Sequence, residues 1–142
     1  MLAGHDLNFV ARSGFLAMTA VDGEPAMPGA QLADLTSGLM AATAILGALH
    51  ARERSGRGGV VDVPMDAAMR WLMEPWYAVE QAGVPVSRER GHILAGDLAC
   101  YRIYRTADGR HLAVAALEAH FWERFCGAIE RPDLAAHQHD AD

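Results

Sequence analysis

The chain has 142 residues, 51% of them hydrophobic and 21% charged, with a formal charge of −6. That balance excludes a disordered polar chain, because enough apolar surface is present to bury a core. It also excludes nucleic acid as an expected partner: a phosphate backbone is held by clustered Lys and Arg, and the nearest basic run, ARERSGRG, is mixed in sign.

In chain order, residues 5–14 (HDLNFVARSG) read as a short helical turn that opens at Asp6 and closes at Gly14. The next fifteen residues, FLAMTAVDGEPAMPG, carry turn signals at Asp22-Gly23 and Pro28-Gly29 and read as loop or a loose hairpin. Asp34 is expected to cap a helix over LTSGLMAATAILGALHARER, which Ser55-Gly56 stops. Apolar residues lie on nearly every face of that helix up to Leu49, so burial on most sides is expected. Its most apolar stretch, LMAATAILGALHA, falls short of the roughly 20 residues that span a bilayer, and no charged leader with a cleavage site precedes it. A soluble, cytoplasmic protein with no membrane partner is the expectation.

GGVVDVPM is β-branched and reads as a strand, and DAAMRWLMEPWYAVEQAG as an amphipathic helix with a break at Pro75. Residues 83–97 form a polar, Gly- and Pro-bearing connector. The expected division is therefore 1–82 as part of a large lobe with long helices, 83–97 as linker, and 98–142 as part of a small α+β lobe. LACYRIYRTADGRHLAVAAL alternates around the turn TADGR and is the clearest hairpin of the chain. EAHFWERFCGAIERPDL follows as a helix with Phe121, Trp122, Phe125 and Ile129 at helical spacing, ending at Pro132, and the tail AAHQHDAD shows no packing pattern. Cys100 and Cys126 lack CxxC spacing and read as two reduced thiols.

Three polar residues stand at the edges of different elements, where side chains can converge on a cleft. His5, Asp34 and Glu118 each also have an ordinary explanation: a solvated histidine, a helix cap, and a second helix cap. The pair His137 and His139 lacks a nearby third ligand, so no metal site is expected. Taken alone, these residues suggest a soluble α/β domain with acid–base groups.

The order of the motifs goes further. GHDLNFVARSG, then PGAQLADLTSGLMAATAILGALHARERSGRGGVVDVPMDAAM, then YRIYRTADGRHLAVAALEAHFWERF closely resemble the family III CoA-transferases, the CaiB/BaiF superfamily, and within it the α-methylacyl-CoA racemases. Two departures are visible: Phe9 stands where many racemases carry Tyr, and VDVPMDAAM is one residue shorter than the usual run. The resemblance implies an α/β chain forming the central portion of that fold, with long buried helices and a small α+β lobe built on a β-hairpin. It assigns the two acid–base groups of a racemase to His5 and Asp34, and pairs the glutamate of the ALE motif, Glu118, with the histidine.

The chemistry suits those residue types. Inverting a carbon beside a thioester requires removal of a proton from one face and delivery of another to the opposite face of a planar enolate, so two differently placed acid–base groups suffice. A glutamate bonded to the imidazole would orient it and favour its charged form. Helix N-terminal amides beside Asp34 are expected donors to the enolate oxygen. In the transferase branch the resemblance implies another use of Asp34, as the nucleophile that forms an acyl anhydride and then a CoA thioester. A non-catalytic remnant or interaction module of the same fold is the third possibility. Family members are far longer, carrying an N-terminal CoA-binding lobe and a returning C-terminal segment, with two subunits interlocked as linked rings. The resemblance therefore implies an acyl-CoA substrate with coenzyme A as its carrier, no permanently bound cofactor, and either a homodimer or a separate N-terminal CoA-binding partner.

Overall fold

The computed structural model describes residues 3–21, 23–84 and 93–140. Helices and two small antiparallel ladders make the chain mixed α/β, as expected. The backbone divides into two compact units, one comprising Met1–Thr19 and Pro25–Val86, the other Ala20–Glu24 and Ser87–Asp142. Most of the expected connector, residues 85–92, lies outside the described residues.

The first unit begins with helix α1 (Asp6–Arg12), which Gly14 ends at a φ of 79°, a value that favours glycine. A single helical turn, α2 (Phe15–Met18), follows. Residues 20–24, which are grouped with the second unit, hold β1 (Ala20–Val21) and the start of β2 (Glu24–Pro25), paired in a two-residue ladder with Gly23 at φ 81° between them. The long helix α3 (Leu32–Ser55) stops at Gly56, whose left-handed conformation lets its N–H donate to the Arg52 carbonyl at 2.8 Å.

Helix α4 (Met65–Gln81) runs through Pro75 without the expected break. Pro75 is exposed, while Met69 and Met73 are buried on faces turned away from it, so packing holds the helix across the missing N–H. Val10, Ala33 and Met69 form the unit's core, with Phe9, Leu32 and Leu72 packed against it. Burying Met69 contributes about 1.5–3 kcal/mol. Ser13 is buried nearby with both polar ends satisfied: its hydroxyl donates to the Val10 carbonyl (2.8 Å), and its carbonyl accepts from the Tyr77 hydroxyl (2.7 Å).

Other expectations fail in this unit as well. GGVVDVPM forms no strand, because none of the described segments pairs with it, and Val60 is 96% exposed. Helix α3 is not buried on most sides either: Ala33 is its one buried residue, and Leu35, Leu39, Ile45 and Leu46 are at least half exposed. Over its full 24 residues the helix is also long and apolar enough to cross a membrane by length and composition, a test that the core helix of a soluble protein passes equally.

In the second unit, strands β3 (Tyr101–Arg105) and β4 (His111–Ala115) form the expected hairpin, in a register that sets Ile103 opposite Ala113. The TADGR turn closes when Thr106 N–H donates to the Arg110 carbonyl at 2.9 Å, with Gly109 at φ 82°. Helix α5 (Ala119–Ala128) packs Trp122 and Cys126 against Cys100, Val114 and Ala116. Its buried stripe is thus Trp122, Phe125 and Cys126, whereas Phe121 and Ile129 are largely exposed, which corrects the expected apolar face.

The tail also departs from expectation. Pro132–His137 forms a 3-10 turn, and Trp122 Nε1 donates to the Leu134 carbonyl at 2.9 Å. The Asp140 and Gln138 carbonyls accept from Ala99 and Cys100 N–H at 2.8 and 3.1 Å. A short polar segment can dock in this way through main-chain bonds that leave no hydrophobic period.

Candidate functional site

His5 stands at the N-cap of α1 with extended backbone, and Asn8 holds that backbone at both ends. The His5 N–H donates to Asn8 Oδ1 at 2.9 Å, and the Asn8 N–H donates to the His5 carbonyl at 2.9 Å. The first bond is the return half of a capping box, with asparagine in place of the usual glutamate; the second is a main-chain bond, and the His5 side chain makes no cap bond. The His5 side chain remains exposed.

Asp34 does not cap its helix. The first turn of α3 begins at Leu32, and Leu35 N–H already donates to the Gln31 carbonyl at 3.0 Å, so Asp34 is the third helical residue. The capping carboxylate comes from Asp6, 28 residues earlier in the chain: its Oδ1 accepts the Ala33 N–H at 2.7 Å and the Asp34 N–H at 3.0 Å. Asp6, the residue after His5, thus bonds the main chain of Asp34 and ties the start of α1 to the start of α3. The carboxylate of Asp34 itself makes no hydrogen bond or ion pair among the described residues. The same two bonds occupy the amides of Ala33 and Asp34, which removes them as the expected donors to an enolate oxygen.

Glu118 belongs to the second unit, at the N-cap of α5. Its carbonyl accepts from Phe121 and Trp122 N–H at 2.9 and 3.2 Å, but its carboxylate forms no cap bond and is exposed. A shallow hollow of 280 Å³ in this unit, lined by Leu94, Gly96, Tyr101, Ile103 and Ala113 among others, contains none of the three candidate residues. His137 pairs with Asp140 at 2.7 Å, and no group of three His, Cys, Asp or Glu side chains able to hold a metal is found among the described residues.

Sequence reasoning missed Asp6, Asn8 and Gln138. The spacing His5-x-x-Asn8 was the available signal for the bond from His5 N–H to the Asn8 side chain, whereas no local pattern announces a carboxylate that caps a helix 26 residues away. Chemically, the first unit presents an exposed imidazole and an unengaged carboxylate at the starts of two helices, and both groups can move protons.

The family model for CoA-transferase family III matches residues 1–142. The chain is 38% identical over 124 residues to the α-methylacyl-CoA racemase of Homo sapiens, covering 86% of this chain and 32% of that protein. It is 37% identical over 139 residues to the succinyl-CoA:mesaconate CoA-transferase of Haloarcula marismortui, covering 96% and 34%. A crystal structure of Rv3272 from Mycobacterium tuberculosis superposes with a TM-score of 0.75 at 29% identity, over 96% of this chain and 36% of that one. The chain thus spans about a third of the length of these relatives, among which racemases and transferases both appear. On the match of its whole length, with a fold to agree, this chain belongs to CoA-transferase family III.

Proposed function

We propose that the chain carries the proton-transfer groups of a racemase acting at the α-carbon of a 2-methylacyl-CoA thioester, alone or as part of a larger or split enzyme. One of His5 and Asp34 takes the α-proton as a base; the electron pair passes into the enolate; the other, protonated, returns a proton to the opposite face. The family resemblance gives Glu118 the role of orienting the imidazole and favouring its charged form. The observation that carries the reading is the bond from Asp6 to the Asp34 main chain, which ties the residue after His5 to the helix end bearing an unengaged carboxylate. The acyl-CoA substrate supplies the coenzyme A. Exposed leucines along α3 support association with a second copy or with a CoA-binding polypeptide, and a cytoplasmic location is part of the same proposal.

The transferase reading keeps one specific support: a transferase relative shares 37% identity across 96% of the chain. In it the Asp34 carboxylate attacks the thioester carbonyl and expels CoA thiolate, leaving an acyl anhydride; the thiolate then attacks the aspartyl carbonyl of that anhydride, releasing the donor acid as its carboxylate and leaving an aspartyl CoA thioester. The two readings separate in D2O. Racemase chemistry gives deuterium at the α-carbon, lost in both His5→Ala and Asp34→Ala. CoA exchange between an acyl-CoA and a free acid that survives His5→Ala but not Asp34→Ala would refute it in favour of transfer.

A further inference from the structure

Where β4 ends, the chain must leave the hairpin ladder and enter α5 within three residues, 116–118. The carbonyls of that connection need partners outside the ladder, since unsatisfied main-chain groups near a core are costly. Gln138 meets this need. Its Nε2 donates to the Ala116 carbonyl at 3.0 Å and to the Leu117 carbonyl at 2.9 Å, engaging both hydrogens of one carboxamide. The main chain of Gln138 is anchored as well: its carbonyl accepts from Cys100 N–H at 3.1 Å, and the Cys100 carbonyl accepts from Ala116 N–H at 2.8 Å. These bonds close a ring from Gln138 through Cys100 and Ala116 back to the Gln138 side chain.

The next residue is Glu118, whose carbonyl is taken by the first turn of α5. Its main chain is therefore held from both sides, by Gln138 before it and by the helix after it, while its carboxylate forms no cap bond. We propose that Gln138 is a positioning residue for Glu118, fixing the turn that presents that carboxylate. The assignment rests on the proposed role of Glu118 in catalysis.

Gln138→Met keeps length and apolar volume but removes both donors, and Gln138→Glu keeps the shape while facing two carbonyls with acceptor oxygens. Amide hydrogen exchange on the full chain should show the Phe121 and Trp122 amides exchanging at least about tenfold faster in both variants, with the Thr106 amide of the hairpin turn unchanged. Unchanged Phe121 and Trp122 amides, or equal acceleration of all three, would overturn the proposal. In the α-proton exchange assay Gln138→Met should lower kcat with KM retained and should displace the pH profile in the same direction as Glu118→Gln. A Glu118→Gln variant with normal exchange would refute the role of Glu118, and the amide measurements would still decide the role of Gln138. Normal kcat in Gln138→Met beside an impaired Glu118→Gln would sink the inference about Gln138 alone.

Discussion

Replacing Asp6 by Ala removes the acceptor for two amides in the first turn of α3. A cap substitution of this kind costs about 0.5–2 kcal/mol, and hydrogen bonds to a charged group lie at the upper end of the range for single bonds, about 1.5–3 kcal/mol. Asp6 is half-buried, so solvent replaces part of what is lost, and about 2 kcal/mol is the expected cost. Asp6→Asn keeps an Oδ1 acceptor and gives up only the interaction of a charge with the helix dipole, about 0.3–1 kcal/mol. Asp34→Ala removes a carboxylate that bonds nothing and forfeits a dipole term of that same size. The predicted order of destabilisation is thus Asp6→Ala, then Asp6→Asn and Asp34→Ala together near the wild type. Urea unfolding followed by far-UV circular dichroism measures it, with most of the helical signal coming from α3 and α4. If Asp34→Ala proves more destabilising than Asp6→Ala, Asp34 is the true cap and the junction between the two candidate residues is wrong.

Further outcomes follow from the second unit. Cys100 and Cys126 are buried, and desolvation pushes both thiols above their ordinary range, so neither should react with a thiol-specific reagent at pH 8 until the chain is unfolded; rapid labelling of the native chain would contradict that packing. Asp108 is held down to about 2 by the Arg110 side chain first and by the Thr106 hydroxyl second. Its folded value is depressed, so its contribution to the turn is complete above the ordinary carboxylate value of 3.8 and fades as pH falls through about 2. The Asp108 carboxyl signal in an NMR titration should move with a midpoint near 2, and a midpoint near 4 would show that the Arg110 contact does not persist in solution.

How much of this was legible in the sequence depends on the range of the interactions. The hairpin was legible because alternation and the TADGR turn are local, as were the stops at Gly14 and Gly56, where backbone conformation favours glycine. Pro75 misled because its effect is settled by packing: a proline on the exposed side of a helix is held in place where Met69 and Met73 anchor the buried side. GGVVDVPM misled because β-branched composition records a capacity for pairing, and a strand exists only where another segment completes the ladder. The apolar surface of α3 was read correctly as composition and wrongly as burial, since hydrophobicity says that a face gains from being covered without saying that these 142 residues cover it. At the candidate site, the positions of His5, Asp34 and Glu118 came from motif resemblance, whereas Asp6 and Gln138 act over separations that no local period encodes.

Those two unforeseen residues share one logic. A carboxylate at the start of a helix is ordinarily drawn into capping, where its oxygens accept the free amides of the first turn. Asp34 and Glu118 both stand at such a start, and neither carboxylate is so engaged. In the first case Asp6 caps the helix instead; in the second, Gln138 ties down the entering turn. Asp6 thereby takes over the capping of α3 and leaves the Asp34 oxygens for another partner; Gln138 donates to the carbonyls ahead of α5 and holds that turn, while the Glu118 carboxylate makes no cap bond. The division of labour predicts opposite signatures for the two pairs. Asp34→Ala and Glu118→Ala should each unfold within about 1 kcal/mol of the wild type while abolishing α-proton exchange. Asp6→Ala and Gln138→Met should lower stability and activity together. Equal losses of stability in all four variants would mean that the carboxylates are structural after all, and the acid–base assignment would lose its physical basis.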